Sequence, residues 1–192
     1  MSSKSSTPKP TVITLTLPDW IDEEVGSRAY ASDEERVALA IRLSRRNVAE
    51  RTGGPFGAAV FDEAGHVVAA GVNRVMPEHC SVAHAEMMAF LAAQARTKRW
   101  RLNDDGRRYT LATSAQPCCQ CYGASFWAGI DELLIGARSS DVMALSEFDE
   151  GPLPADWIGE LEKRGIAVRR DILRDEACDV FRFYAQMDGA SY

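Results

Sequence analysis

The spacing of apolar positions along this 192-residue chain changes several times, and each change marks an element. Ser32-Asp33-Glu34-Glu35 sets up a helix start in which a Ser hydroxyl and the Glu three residues on serve each other's backbone N–H groups. Val37, Ala40, Ile41, Leu43, Ser44 and Val48 then fall on one helical stripe, which Gly53-Gly54-Pro55 ends. Two short apolar runs, Gly57–Asp62 and His66–Val72, flank Glu63-Ala64-Gly65 and predict a hairpin. His84–Gln94 reads as a helix rich in Ala, Met and Leu, Tyr109–Thr113 as a strand, and Cys118–Ala128 as a helix. Glu132–Ala137 is an apolar strand, and Ser139–Leu145 a helix capped by Ser139 or Ser140. Trp157–Arg164 (helix), Ile166–Arg170 (strand) and Asp175–Met187 (helix) complete the order. Such alternation predicts an α/β layered fold, with helices covering a mixed sheet.

The chain length suits one compact domain. Residues 1 to about 10 are polar with nothing to bury, which predicts disorder. Thr11–Leu17 alternates apolar and β-branched positions and suits a short strand or a docked arm. The expected organisation is an N-terminal arm over residues 1–17, disordered or docked, and a single domain over 18–192. Hydrophobic residues make up 46% and charged residues 26%, an ordinary globular balance. The net charge of −6 does not favour nucleic acid as the main partner. A local basic patch remains open at Lys98, Arg99, Arg101, Arg107 and Arg108, and a solvated face is the plainer account of it. Neither a secretory apolar segment nor a membrane span is read, so the expectation is a cytoplasmic protein with no membrane partner.

Candidate chemistry centres on the cysteines. Cys118, Cys119 and Cys121 crowd into four residues, poor spacing for disulfides and good spacing for a metal. Cys118 and Cys121 stand three apart, on one face of a helix that Pro117 can begin. Thiolates at that end gain from the positive end of the helix dipole. Upstream, His84 opens another helix in His84-Ala85-Glu86. Two sulfurs and one nitrogen hold Zn²⁺ with one tetrahedral position left for water, the arrangement of a catalytic site. Glu86 then stands beside that water as a base. A redox pair would have no use for the His-x-Glu element. A closed structural site would need a fourth ligand, and Cys119, Cys80 or His79 are candidates for it.

On these residues the chain resembles the cytidine deaminase-like zinc deaminases, whose signature has this form. A His ligand in place of Cys points toward the deaminases of free bases, deoxycytidylate and tRNA. Gly53-Gly54-Pro55-Phe56-Gly57, Asn73, Thr113-Ser114, Cys121-Tyr122-Gly123-Ala124 and Phe148-Asp149-Glu150-Gly151-Pro152 are similar to segments of the bacterial guanine deaminases, including those that also accept the triazine ammeline. The resemblance covers residues 18–192 and implies a three-layer α/β/α fold with a five-stranded mixed sheet. It also implies one zinc per subunit and a homodimer that exchanges its C-terminal helix or tail.

The implied substrate is a small amino-heterocycle, guanine foremost, converted to xanthine and ammonia in purine catabolism. Glu86 would move protons between water and ring, while a second acid, Glu150 rather than Asp149, would serve the departing amine. Phe56 would line or stack on the ring, and Asn73 and the Ala85 N–H would bond its edge. Tyr192 would close the site. Taken alone, Phe56 is equally a core residue, Asn73 a turn residue and Glu150 part of a solvated acidic run. Trp127 is off the ligand face and suits core or interface. Two positions depart from the family pattern: Gln116 precedes Pro117 where Glu is usual, and Glu147 stands where Gly is common. A deaminase of another amino-heterocycle or nucleoside, a tRNA adenosine deaminase and a zinc-stabilised binding module are the alternatives.

Overall fold

The computed structural model of the chain describes residues 12–189. The short α1 (Ile21–Val25) and long α2 (Asp33–Ala49) precede a hairpin of β1 (Gly57–Asp62) and β2 (Val67–Val72). Next come α3 (Val75–Glu78), α4 (Ala85–Thr97), a 3-10 turn (Leu102–Asp105) and β3 (Tyr109–Ala115). The remaining elements are α5 (Cys119–Ala128), β4 (Glu132–Ala137), α6 (Ser139–Leu145), α7 (Trp157–Glu162), β5 (Ala167–Arg169) and α8 (Arg174–Gln186). The strands form one sheet in the order β2-β1-β3-β4-β5. Strand β1 runs antiparallel to β2 and β3, while β3, β4 and β5 are mutually parallel, so the sheet is mixed and five-stranded.

Alternate residues of each strand enter two separate cores. Ala59, Phe61, Ala112 and Leu134 pack with Val37, Leu43 and Val48 of α2 and Val180 and Phe181 of α8. Ala58, Val60, Leu111, Leu133 and Ile135 pack on the other face with Ala85, Ala89 and Ala93 of α4 and with Leu161 of α7. Both faces are covered, which is why the strands read as unbroken apolar runs. Helix α2 begins as its sequence predicts, with Ser32 accepting the Glu35 N–H and the Glu35 carboxylate accepting back from Ser32.

Several details differ from the sequence expectations. Residues 12–17 form no strand. They lie as an arm held by Arg74, whose Nε donates to the Thr16 carbonyl at 3.1 Å, and by a Thr16–Glu78 hydrogen bond. The predicted disorder of residues 1–10 and the proposed role of Tyr192 fall outside the described residues. Helix α6 is capped neither by Ser139 nor by Ser140: Arg138 is the cap residue, its N–H bonded to the Asp141 carboxylate at 2.9 Å. Trp127 is 65% exposed, so it is not core.

Asp141 also grips Arg174 with both oxygens, at 2.7 and 2.6 Å, pinning the start of α8 to α6. The Arg174 hydrogen bonds hold the Asp141 carboxyl down at about 2, against an ordinary value of 3.8. A depressed acid stabilises the fold above its ordinary pKa, and that contribution fades as pH falls toward the folded value. Arg174 is 37% exposed, so solvent screening trims the effect to about 1–2 kcal/mol. Asp141→Asn should therefore lower the melting temperature at neutral pH. The gap from wild type should shrink between about pH 4 and pH 2, as thermal melts across that range would record.

Candidate metal centre and active site

Two helix starts meet in this fold. His84 is the residue before α4 and Cys118 the residue before α5, both in extended backbone, with Cys121 in the first turn of α5. Close approach makes this possible: a Cβ on Gly71 would stand 2.3 Å from the Ala85 carbonyl and 2.5 Å from the Ala89 nitrogen. Only glycine lets α4 lie backbone-to-backbone on β2. His84 Nδ1 then stands 3.4 Å from Cys118 Sγ and 3.7 Å from Cys121 Sγ, and the three donor atoms lie within 4.8 Å of one another. In a tetrahedral zinc site, bonds of about 2.0–2.3 Å put N and S donors about 3.6 Å apart, so the trio fits Zn²⁺. Among the described residues the cluster holds these three alone, so Cys119, Cys80 and His79 do not close it.

A cavity of about 530 Å³, including its open mouth, lies over the trio. Its walls are the rings of Phe56 and Phe148, the amides of Asn73 and Gln116, and the carboxyls of Glu86, Asp149 and Glu150, with His84 and Cys118. The structure thus brings Phe56, Asn73, Glu86 and Glu150 to one place from four separate segments. Ala85 is the first residue of α4, where backbone N–H groups have no acceptor within the helix. Phe56 is both wall and core: its ring packs edge-on against Phe148 at 5.2 Å and Phe181 at 5.4 Å. Phe148 is a lining residue that sequence reasoning did not single out. Its pattern resembles any core aromatic, and its contacts with Phe56 and Tyr184 give it a place.

Glu86 and Glu150 are 6% and 7% exposed. Burial first, then the Cys118 charge, pushes the Glu86 carboxyl up to about 7. The same two causes, in the same order, push Glu150 up to about 8, with Glu86 adding repulsion. The thiols divide one proton between them. The hydrogen bond from Cys121 brings Cys118 down to about 4, while Cys121, keeping the proton, is pushed well up. Burial works against protonating His84, yet the hydrogen bond to Cys118 and the nearby carboxylates raise it. Asp149 is exposed, and its Oδ1 accepts the Gly151 N–H at 2.9 Å, whereas Glu150 is buried.

Gln116 is buried beside the cavity, its Oε1 3.4 Å from the Ser139 N–H, so the helix start of α6 holds it. The basic patch read from the sequence is offset only in part, by Asp104 and Asp105. Arg99 and Arg107 pair with Asp105, and Arg101 pairs with Asp104. No helix among the described residues is long and apolar enough to cross a membrane.

The family described as the cytidine and deoxycytidylate deaminase zinc-binding region matches residues 31–137. A solved structure of guanine deaminase from Nitrosomonas europaea is 42% identical, with TM-score 0.88, over 94% of this chain and 100% of that one. A solved structure in complex with 8-azaguanine is 43% identical, with TM-score 0.87, over 92% of this chain and 98% of that one. The tRNA-specific adenosine deaminase of Buchnera aphidicola is 30% identical over 151 residues, 78% of this chain and 92% of that protein.

The donor set makes a direct prediction. Metal analysis of the purified chain should return about one zinc per chain, and Cys121→Ala should retain less than about a tenth of it. Chelation should also lower the melting temperature, because α4 and α5 lose their shared tie.

Proposed function

The chain belongs to the cytidine and deoxycytidylate deaminase zinc-binding family, and from that premise we propose that it hydrolyses the exocyclic amine of free guanine, giving xanthine and ammonia. One observation carries the proposal: two buried carboxyls and a two-sulfur, one-nitrogen donor set face a single small cavity. Likeness to the Nitrosomonas enzyme along nearly the whole chain supports guanine as the ring. The triazine ammeline is the second substrate proposed.

When bound, zinc supplies a water acidified toward neutral pH and a positive charge that draws nearby carboxyls down. The chain's residues do the rest. Glu86, two residues past a ligand, takes a proton from water and returns it to a ring nitrogen. Attack at C2 expels the amine, which needs a proton of its own, and Glu150 is the buried acid available for it. Asn73 commits its Oδ1 to the Val75 N–H at 3.2 Å, which leaves its NH₂ as the donor offered to the ring edge. The Ala85 N–H is a second donor, and Phe56 and Phe148 wall the ring from water. An adenosine within tRNA would call for a basic surface around the mouth, and the net charge of −6 does not favour one.

We further propose a homodimer, on the ground that Leu91 of α4 and Trp127 of α5 stay exposed. Residues 18–192 then act as one deaminase domain with residues 1–17 as its arm, and its C-terminal helix or tail is exchanged between subunits. The setting proposed is purine catabolism in the cytoplasm, a reducing compartment that keeps the metal-binding thiols free.

Ammonia release should be measured with guanine, ammeline, adenine, cytosine, guanosine and pterins. Guanine should give the highest kcat/KM. Glu86→Ala should keep its zinc and lose at least about a hundredfold in kcat. Wild-type turnover in that variant would sink the mechanism, and zinc without ammonia from any of the rings would favour a binding module.

A further inference from the structure

Asn47 lies in the last turns of α2 with no exposure at all, a polar residue on the apolar stripe of that helix. A buried amide is tolerated only where its hydrogen bonds are made. Here Nδ2 donates to the Gly54 carbonyl at 2.8 Å and to the Asn73 carbonyl at 3.0 Å, and Oδ1 accepts the Thr52 hydroxyl at 2.7 Å. These partners are the two segments that deliver Phe56 and Asn73 to the cavity. They are also bonded to each other: the Phe56 N–H reaches the Gly54 carbonyl at 2.9 Å, and the Asn73 N–H reaches the Phe56 carbonyl at 3.1 Å. Space between them is minimal. A Cβ on Gly53 would lie 1.9 Å from the Asn73 carbonyl oxygen and 2.7 Å from Asn47 Nδ2.

We propose that Asn47 is a positioning residue for ring binding: its one amide sets Phe56 and Asn73 at their mutual distance. It acts through those two residues, and its three partners lie outside the His84–Cys118–Cys121 cluster. The inference rests on the proposed reading of the cavity as a ring-binding site. Removing the amide takes its donor from the buried Asn73 carbonyl and one of two donors from the Gly54 carbonyl, so the 52–56 loop and the end of β2 relax apart. The loss should fall on binding while the chemistry of Glu86 and Glu150 is largely kept.

The test is Asn47→Ala in the full-length protein, beside Asn73→Ala and the double variant. In Asn47→Ala, KM for guanine and Kd for 8-azaguanine should each rise at least about tenfold, with kcat within about threefold and zinc content unchanged. Adding Asn47→Ala to Asn73→Ala should cost much less than it does in wild type, because the two act as one unit. Amide hydrogen exchange at Asn73 and Phe56 should speed up. A fall in melting temperature alone, with KM and Kd unchanged, would overturn the proposal, as would loss of zinc or independent effects in the double variant. Should Asn47→Ala not fold, Thr52→Val removes the hydroxyl that bonds Asn47 Oδ1 and the Asn47 carbonyl while keeping both Nδ2 bonds: a rise in KM of about threefold supports the clamp and no change overturns it. If wild type neither releases ammonia from guanine nor binds 8-azaguanine, the ring-binding reading fails. Exchange at Asn73 and Phe56 then decides the clamp by itself, faster exchange in the variant supporting it and unchanged exchange overturning it.

Discussion

The meeting of His84, Cys118 and Cys121 is the constraint on which the rest of this molecule depends. It joins the starts of α4 and α5, two helices that reach the site from opposite sides of β3 in the sequence. Donor atoms 3.4 and 3.7 Å apart allow little slack in either helix. Gly71 under α4 is part of that constraint, because a side chain there would lift His84 away from the thiols. Both helix starts also turn the positive ends of their dipoles toward the site, which suits thiolates.

Around this knot the structure separates charged chemistry from neutral grip. The groups with displaced proton affinity, Glu86, Glu150, Cys118, Cys121 and His84, are packed against the metal cluster. Burial and like charge raise both carboxyls in the metal-free chain, and a bound cation would draw them back down. Four of the other lining groups are uncharged, Asn73, Gln116, Phe56 and Phe148, and the remaining one is the exposed Asp149. A neutral wall can choose a ring by shape and hydrogen bonds without disturbing the titration of the acids. Asn47 belongs to that wall at one remove, as a fully bonded amide that carries no charge into the core.

Much of this was legible in the chain itself. The capping box at Ser32, the hairpin over Gly57–Val72 and β4 are local patterns, and local patterns survive translation into structure nearly residue for residue. The metal trio was legible for a chemical reason: soft donors at helical spacing, downstream of a His-x-Glu, serve few other purposes. The cap of α6 was misassigned because an Asp three residues on can satisfy the backbone N–H of any preceding residue, Arg138 included. The short α1, and the docking of residues 12–17 through Arg74, left no periodic trace to read.

What the sequence determined, then, is the reaction class and the order of elements, since both follow from residue type and short spacing. Tertiary structure decided the rest. It buried Glu150 and left Asp149 exposed, though the two are neighbours of like chemistry. It turned Trp127 outward and set Arg99 and Arg107 against one Asp105. It also gave Asn47 partners 7 and 26 residues away. Each outcome depends on which surfaces meet across the sheet, and burial and long-range hydrogen bonds acquire values only once the chain has closed on itself.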